Sequence, residues 1–69
     1  MHREKCDSST IRSFGYDPQE KLLEVEFPRG RVCRYRGVSP EEFAAFQSSE
    51  SKGKFFYHAI RQHYQPEEA

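Results

Sequence analysis

Lys21-Leu22-Leu23-Glu24-Val25-Glu26-Phe27, then Pro28-Arg29-Gly30, then Arg31-Val32-Cys33-Arg34-Tyr35-Arg36: this stretch decides the fold. In its first part Leu23, Val25 and Phe27 alternate with Glu24 and Glu26, the period of two that marks a strand buried on one face. Pro28-Arg29-Gly30 forms the corner, where Gly30 is free to take a positive φ. Three loop residues bring Phe27 opposite Arg31, a common hairpin geometry. From that pair, Val25 falls opposite Cys33 and Leu23 opposite Tyr35 on the core face. Glu26 then faces Val32, and Glu24 faces Arg34, on the outer face. A slip of one residue would set apolar groups against charges throughout, so the pattern selects this register.

Upstream, Asp17-Pro18-Gln19-Glu20 is a turn: Pro18 presets the first corner, and Asp17 can accept from the backbone ahead of it. Residues 9–16 hold Thr10, Ile11, Phe14 and Tyr16 and form a first strand. Ile11 and Phe14 are three apart, which strict alternation forbids, so either a bulge near Ser13 or a late strand start is required. Downstream, Gly37-Val38 leads into Ser39-Pro40-Glu41-Glu42, with Ser39 as N-cap, Pro40 at the first helical position and Glu42 completing a capping box. Phe43 and Phe46 share one face of that helix. Residues 48–51 are a break. A second helix runs from Lys52 or Lys54 to about His63, with Phe56, Ala59 and Ile60 as its buried stripe and Tyr64 as a candidate extension. Pro66 ends it.

The expected fold is α+β: a three-stranded antiparallel β-meander followed by two α-helices packed on its apolar face, the only cover available to it. The domain spans residues 8–66, with a flexible N-terminus over 1–7 and a flexible tail over 67–69.

Sixty-nine residues make one domain. A chain this short buries only about 60% of the surface its unfolded form exposes, which leaves little room for a core and a deep catalytic cleft together. Six Phe and four Tyr argue against disorder. Eleven Lys and Arg balance eleven Asp and Glu, so any basic surface comes from placement and not from excess. The absence of a long apolar run excludes a membrane span. The polar start Met1-His2-Arg3-Glu4-Lys5-Cys6-Asp7 is unlike a signal peptide. A cytoplasmic chain is implied, with Cys6 and Cys33 as reduced thiols.

Elements spread along the chain resemble one known family. They are Ser8-Ser9 with Ile11, Gly15-Tyr16-Asp17, Leu23-Glu24-Val25-Glu26-Phe27 and Gly30. Cys33-Arg34-Tyr35-Arg36-Gly37-Val38-Ser39-Pro40 follows, then Ser51-Lys52-Gly53-Lys54-Phe55-Phe56, Ile60-Arg61 and Tyr64. Their order and spacing are similar to the KTSC domain, a small module found at the C-terminus of some lysyl-tRNA synthetases and as stand-alone bacterial proteins. The central element of the family is Tyr-x-Tyr followed by Gly-Val; here Cys33 stands at the first tyrosine. The resemblance brings no established activity. Attachment to a synthetase for tRNA implies RNA binding as an expectation.

Several residues carry candidate chemistry. Ser51, Lys52, Gly53 and Lys54 open the second helix, where free N–H groups can meet a phosphate; alternatively Ser51 only caps the helix and Gly53 only permits a close approach. Arg29 and Arg31 at the hairpin corner, with Lys52, Lys54 and Arg61, could line a groove for a phosphodiester backbone. Tyr35 and Tyr57 could stack on bases, although the register points Tyr35 into the core. Arg34 is better read as the cross-strand partner of Glu24. Arg61 could equally anchor a buried acceptor or face solvent.

His2, His58, His63, Cys6 and Cys33 include zinc-ligand types, but His58 and His63 lie five apart and no Cys-x-x-Cys occurs. Cys33 with His58 is the sole tempting catalytic couple, and Cys33 at a core position is better read as a small buried hydrophobe. The expectation is therefore a non-enzymatic binding module without metal or cofactor, a monomer or weak homodimer. Its partner is RNA, or alternatively another protein docking on the edge formed by the first or third strand or on an exposed Phe55 beside Tyr57.

Overall fold

The computed structural model describes residues 3–6 and 9–68. Five antiparallel strands, in sheet order β1-β2-β3-β4-β5, carry two helical segments on one face. They are β1 (Arg3–Lys5), β2 (Ser13–Asp17), β3 (Leu22–Glu26), β4 (Val32–Arg36) and β5 (Pro66–Glu68). Helix α1 spans Pro40–Ser48, and α2 spans Lys52–Phe55 and continues as a π-helical turn over Phe56–Arg61.

The β3–β4 hairpin has the register its alternation dictates. Leu23 pairs with Tyr35, Glu24 with Arg34, Val25 with Cys33 and Glu26 with Val32. The Phe27 N–H donates to the Arg31 carbonyl at 2.8 Å, and Gly30 adopts φ +90 in the corner. Of the two ways to reconcile Ile11 with Phe14, the late start holds. β2 begins at Ser13, with Phe14 and Tyr16 opposite Val25 and Leu23, while Ile11 is fully buried ahead of the paired segment. The 17–20 turn forms around Asp17, whose Oδ1 accepts from Gln19 N–H at 3.0 Å and Glu20 N–H at 3.4 Å.

The meander has two strands more than its hydrophobic pattern predicts, so the three-stranded expectation is corrected to five. β1 pairs Glu4 with Phe14, and β5 pairs Pro66 with Tyr35 and Glu67 with Arg34. Arg-Glu-Lys and Pro-Glu-Glu have no apolar alternation to betray a strand. They are recruited by ladder hydrogen bonds and by charges on the sheet's outer face. There Arg3, Gly15, Glu24, Arg34 and Glu67 are successive partners across the sheet. Gly15 has no side chain, which leaves the Arg3 guanidinium a path to Glu24, to which it donates. Glu24 also faces Arg34 at 4.0 Å, and Arg36 meets Glu67 at 2.6 Å.

The core lies between the inner sheet face and the helices. Phe14, Leu23, Val25, Cys33 and Tyr35 pack with Val38, Phe46, Phe56 and Ile60, all 3% exposed or less. Helix α1 starts as its sequence requires, the Ser39 hydroxyl accepting from Glu42 N–H at 3.1 Å behind Pro40. No helix among the described residues is long and apolar enough to cross a membrane.

A polar latch closes the packing at one end. The Tyr64 hydroxyl donates to the Glu42 carboxylate, and the Tyr16 hydroxyl donates to the Val38 carbonyl. The bond to Glu42, then burial, hold the Tyr64 hydroxyl above the ordinary 10.0; burial, then Glu41 and Asp17, do the same for Tyr16. Folding therefore favours the protonated phenols. Their contribution is complete below pH 10.0 and is lost as pH rises through the elevated values. Tyr64→Phe should cost about 1 kcal/mol at neutral pH, the net worth of one hydrogen bond. It should also flatten part of the alkaline loss, as urea unfolding at neutral pH and above the tyrosine range will measure.

Candidate functional site

The charges of this neutral chain are segregated. Residues 51–65 hold Lys52, Lys54 and Arg61 with His58 and His63, and not one Asp or Glu. The sheet's outer face is the opposite case: Arg3, Arg34 and Arg36 each face a carboxylate there, so their fields largely cancel. Helix α1 carries Glu41 and Glu42 in its first turn and no base in its last.

Local structure explains how the second helix displays its bases. The Ser51 hydroxyl accepts from Lys54 N–H at 3.4 Å, and Phe55 N–H donates to the Ser51 carbonyl at 3.0 Å. From Phe56 the chain widens into the π-helical turn, a rare form frequent at functional sites. Phe56 and Ile60 are driven into the core, while Lys54, Tyr57, His58 and Arg61 remain exposed. The Arg61 guanidinium sits over the Tyr57 ring, 5.1 Å from its centroid, and the His58 ring meets Tyr57 edge-on at 5.5 Å. Tyr57, 48% exposed, is the large hydrophobic side chain most open to solvent among the described residues. Beside it lies a shallow concavity of about 430 Å³ lined by Ser51, Gly53, Lys54, Tyr57 and His58, and across from them by Ser9 and Thr10.

Of the residues nominated from sequence, Ser51, Gly53, Lys54 and Tyr57 thus come together, with Arg61 stacked behind. Lys52 is half-buried in the first turn and lies outside the concavity's lining. The charges of Arg31 and Arg61 also act on another group, the Tyr35 hydroxyl. Burial raises that phenol and Cys33 adds to the rise, while Arg61 and Arg31 pull it down. Arg29 is exposed at the hairpin corner and lines no part of the concavity.

Three nominations are corrected. Tyr35 is 2% exposed with Phe56 against its ring at 5.3 Å, so it has no face for a base. Phe55 is half-buried, its ring 6.0 Å from that of Phe46, so it is not an exposed anchor. The first and third strands of the predicted meander, β2 and β4, are not sheet edges, because β1 and β5 cover them.

The helix start also changes meaning. Its α-helical part is only four residues long, too short for a substantial dipole, and Ser51 is engaged as the cap. The exposed helix face, not the terminus, carries the basic character. The signals that point to that face are the acid-free run over residues 51–65 and the i, i+4 spacing of Tyr57 and Arg61, which a reading centred on the helix start passes over. Ser9, Thr10 and His58 were not legible as neighbours, since only the packing of the 9–12 segment brings them together.

Cys33 is buried at 3% exposure while His58 is exposed. His2 lies outside the described residues, and among the described residues no cluster of three His, Cys, Asp or Glu forms a metal-binding group.

Comparison with known proteins is consistent across sequence and structure. The model of the KTSC domain matches residues 7–64. An uncharacterised protein of Stutzerimonas stutzeri is 43% identical over 65 residues, covering 93% of this chain and 92% of its own. A protein of Tsukamurella paurometabola is 41% identical over 49 residues, covering 71% and 73% respectively. The crystal structure of a KTSC domain protein from Yersinia pestis superposes with a TM-score of 0.91 at 35% identity, covering 99% of this chain and 96% of that one.

Proposed function

The chain belongs to the KTSC domain family, and from that premise we propose that it is a small non-enzymatic module that binds RNA on the exposed face of its second helix. One observation carries the reading: in a chain of zero net charge, residues 51–65 hold no acid and gather Lys54, Tyr57, His58 and Arg61 beside one concavity. Cations released from local carboxylates can contact phosphates, and an exposed aromatic can meet a base. Strand addition by a protein partner has less support. The sheet edges are β1 and β5, each three residues long and charged, features that blunt an edge against further pairing.

Fluorescence anisotropy with labelled tRNA and single-stranded RNA tests the proposal. Two phosphate contacts, from Lys54 and Arg61, give a log–log salt slope of about −1.4, so affinity should fall roughly sevenfold between about 50 and 200 mM salt. Lys54→Glu and Arg61→Glu should each weaken every RNA by about fivefold or more and make that slope shallower. A protein that forms no complex with any RNA at the lower salt would sink the proposal. Recovery of one defined protein in a pull-down that survives nuclease would favour the rival.

A further inference from the structure

Resting on the RNA-binding reading, we infer that the concavity beside Tyr57 is a seat for one unpaired nucleotide, which makes the module selective for single-stranded over duplex RNA. The volume of about 430 Å³ suits a single nucleotide and not a helical segment. A duplex, with its bases paired and stacked inside it, could touch the helix face but could not place a base in the seat.

The lining has the chemistry that a nucleotide needs. Arg61 already lies over the Tyr57 ring at 5.1 Å, so a base on the open face of that ring completes a sandwich of guanidinium, phenol and base. Lys54 borders the same space and supplies a cation for the flanking phosphate. Ser9 and His58 add a hydroxyl and an imidazole at the wall, suited to base edges and to the ribose 2′-hydroxyl. A base within a duplex is stacked on both faces and presents none to Tyr57. Unpaired bases are therefore the only ones that gain the stacking contact.

The test compares one labelled single-stranded 12-nucleotide RNA with the same sequence annealed to its complement, at matched salt, on the full chain. The single strand should bind roughly tenfold more tightly, the scale of one base–aromatic stack. Tyr57→Ala should erase that preference with the salt slope unchanged, whereas Tyr57→Phe should keep it. Tyr57 is 48% exposed, so neither variant removes a core contact. Equal binding of both RNAs by the wild type, or a preference that survives Tyr57→Ala, overturns the nucleotide seat while leaving RNA binding intact. Failure of both RNAs to bind overturns the inference together with the reading beneath it.

Discussion

Phe56→Ala should leave most molecules unfolded at 25 °C. Phe56 is 2% exposed and is the side chain through which the second helix grips the sheet, its ring 5.3 Å from that of Tyr35 and 5.7 Å from that of Phe27. Truncating a buried Phe costs about 3–5 kcal/mol, from lost transfer energy and from the cavity left behind. A core of this size rarely supplies more than about 3–5 kcal/mol in all. The two quantities are equal in scale, so the substitution should abolish the cooperative thermal transition seen by circular dichroism. Amide proton resonances should collapse into the narrow range of an unfolded chain. A variant that melts cooperatively within a few degrees of the wild type would show that the second helix is held by something other than this ring. Nucleic-acid assays on Phe56 variants would be uninformative for the same reason, whereas Tyr57, its neighbour in sequence, can be changed freely.

Arg3→Ala should be the costliest substitution on the outer face of the sheet. Glu24 is only 8% exposed, and Arg3 donates a hydrogen bond to it while also lying 3.7 Å from Glu26. Removing Arg3 leaves a nearly buried carboxylate with Arg34, at 4.0 Å, as its remaining cation among the described residues. Hydrogen bonds to charged groups contribute about 1.5–3 kcal/mol, and the half-open position of Arg3 reduces that to about 1–2 kcal/mol. With an m-value of about 1 kcal/mol/M, the urea midpoint should fall by about 1–2 M. Arg36→Ala provides the contrast. Its partner Glu67 is as exposed as Arg36 itself, with side chains 53% and 60% open, so the change should be close to neutral. Equal losses at the two positions would mean that β1 is held by its ladder hydrogen bonds and not by its charge.

These two substitutions mark the limits of what the residues alone disclose. The β3–β4 hairpin was readable to the residue, because alternation over 21–27 and a three-residue corner admit one register. Helix α1 was readable because Ser39, Pro40 and Glu42 are local signals whose partners lie within one turn. Phe46, Phe56 and Ile60 declared themselves by spacing. β1 and β5 did not, since three charged or proline-containing residues carry no periodicity. Their strand character comes from a neighbour: Gly15 opens the path from Arg3 to Glu24, and Arg36 is in reach of Glu67. The site divides in the same way. Tyr57 and Arg61 form a pair that helical spacing foretells, and Lys54 lies one turn earlier. The seat itself depends on Ser9 and Thr10, some forty residues away, which share its lining with the helix only in the folded chain.

What this protein's sequence determined by itself is therefore its hairpin register, the start of its first helix and its buried stripe, each set by interactions that span a turn or a facing pair. The tertiary structure alone decided the number of strands, the burial of Phe55, and the shallow concavity beside Tyr57. Those depend on contacts between segments distant along the chain, where no periodic pattern records which surface will find which partner.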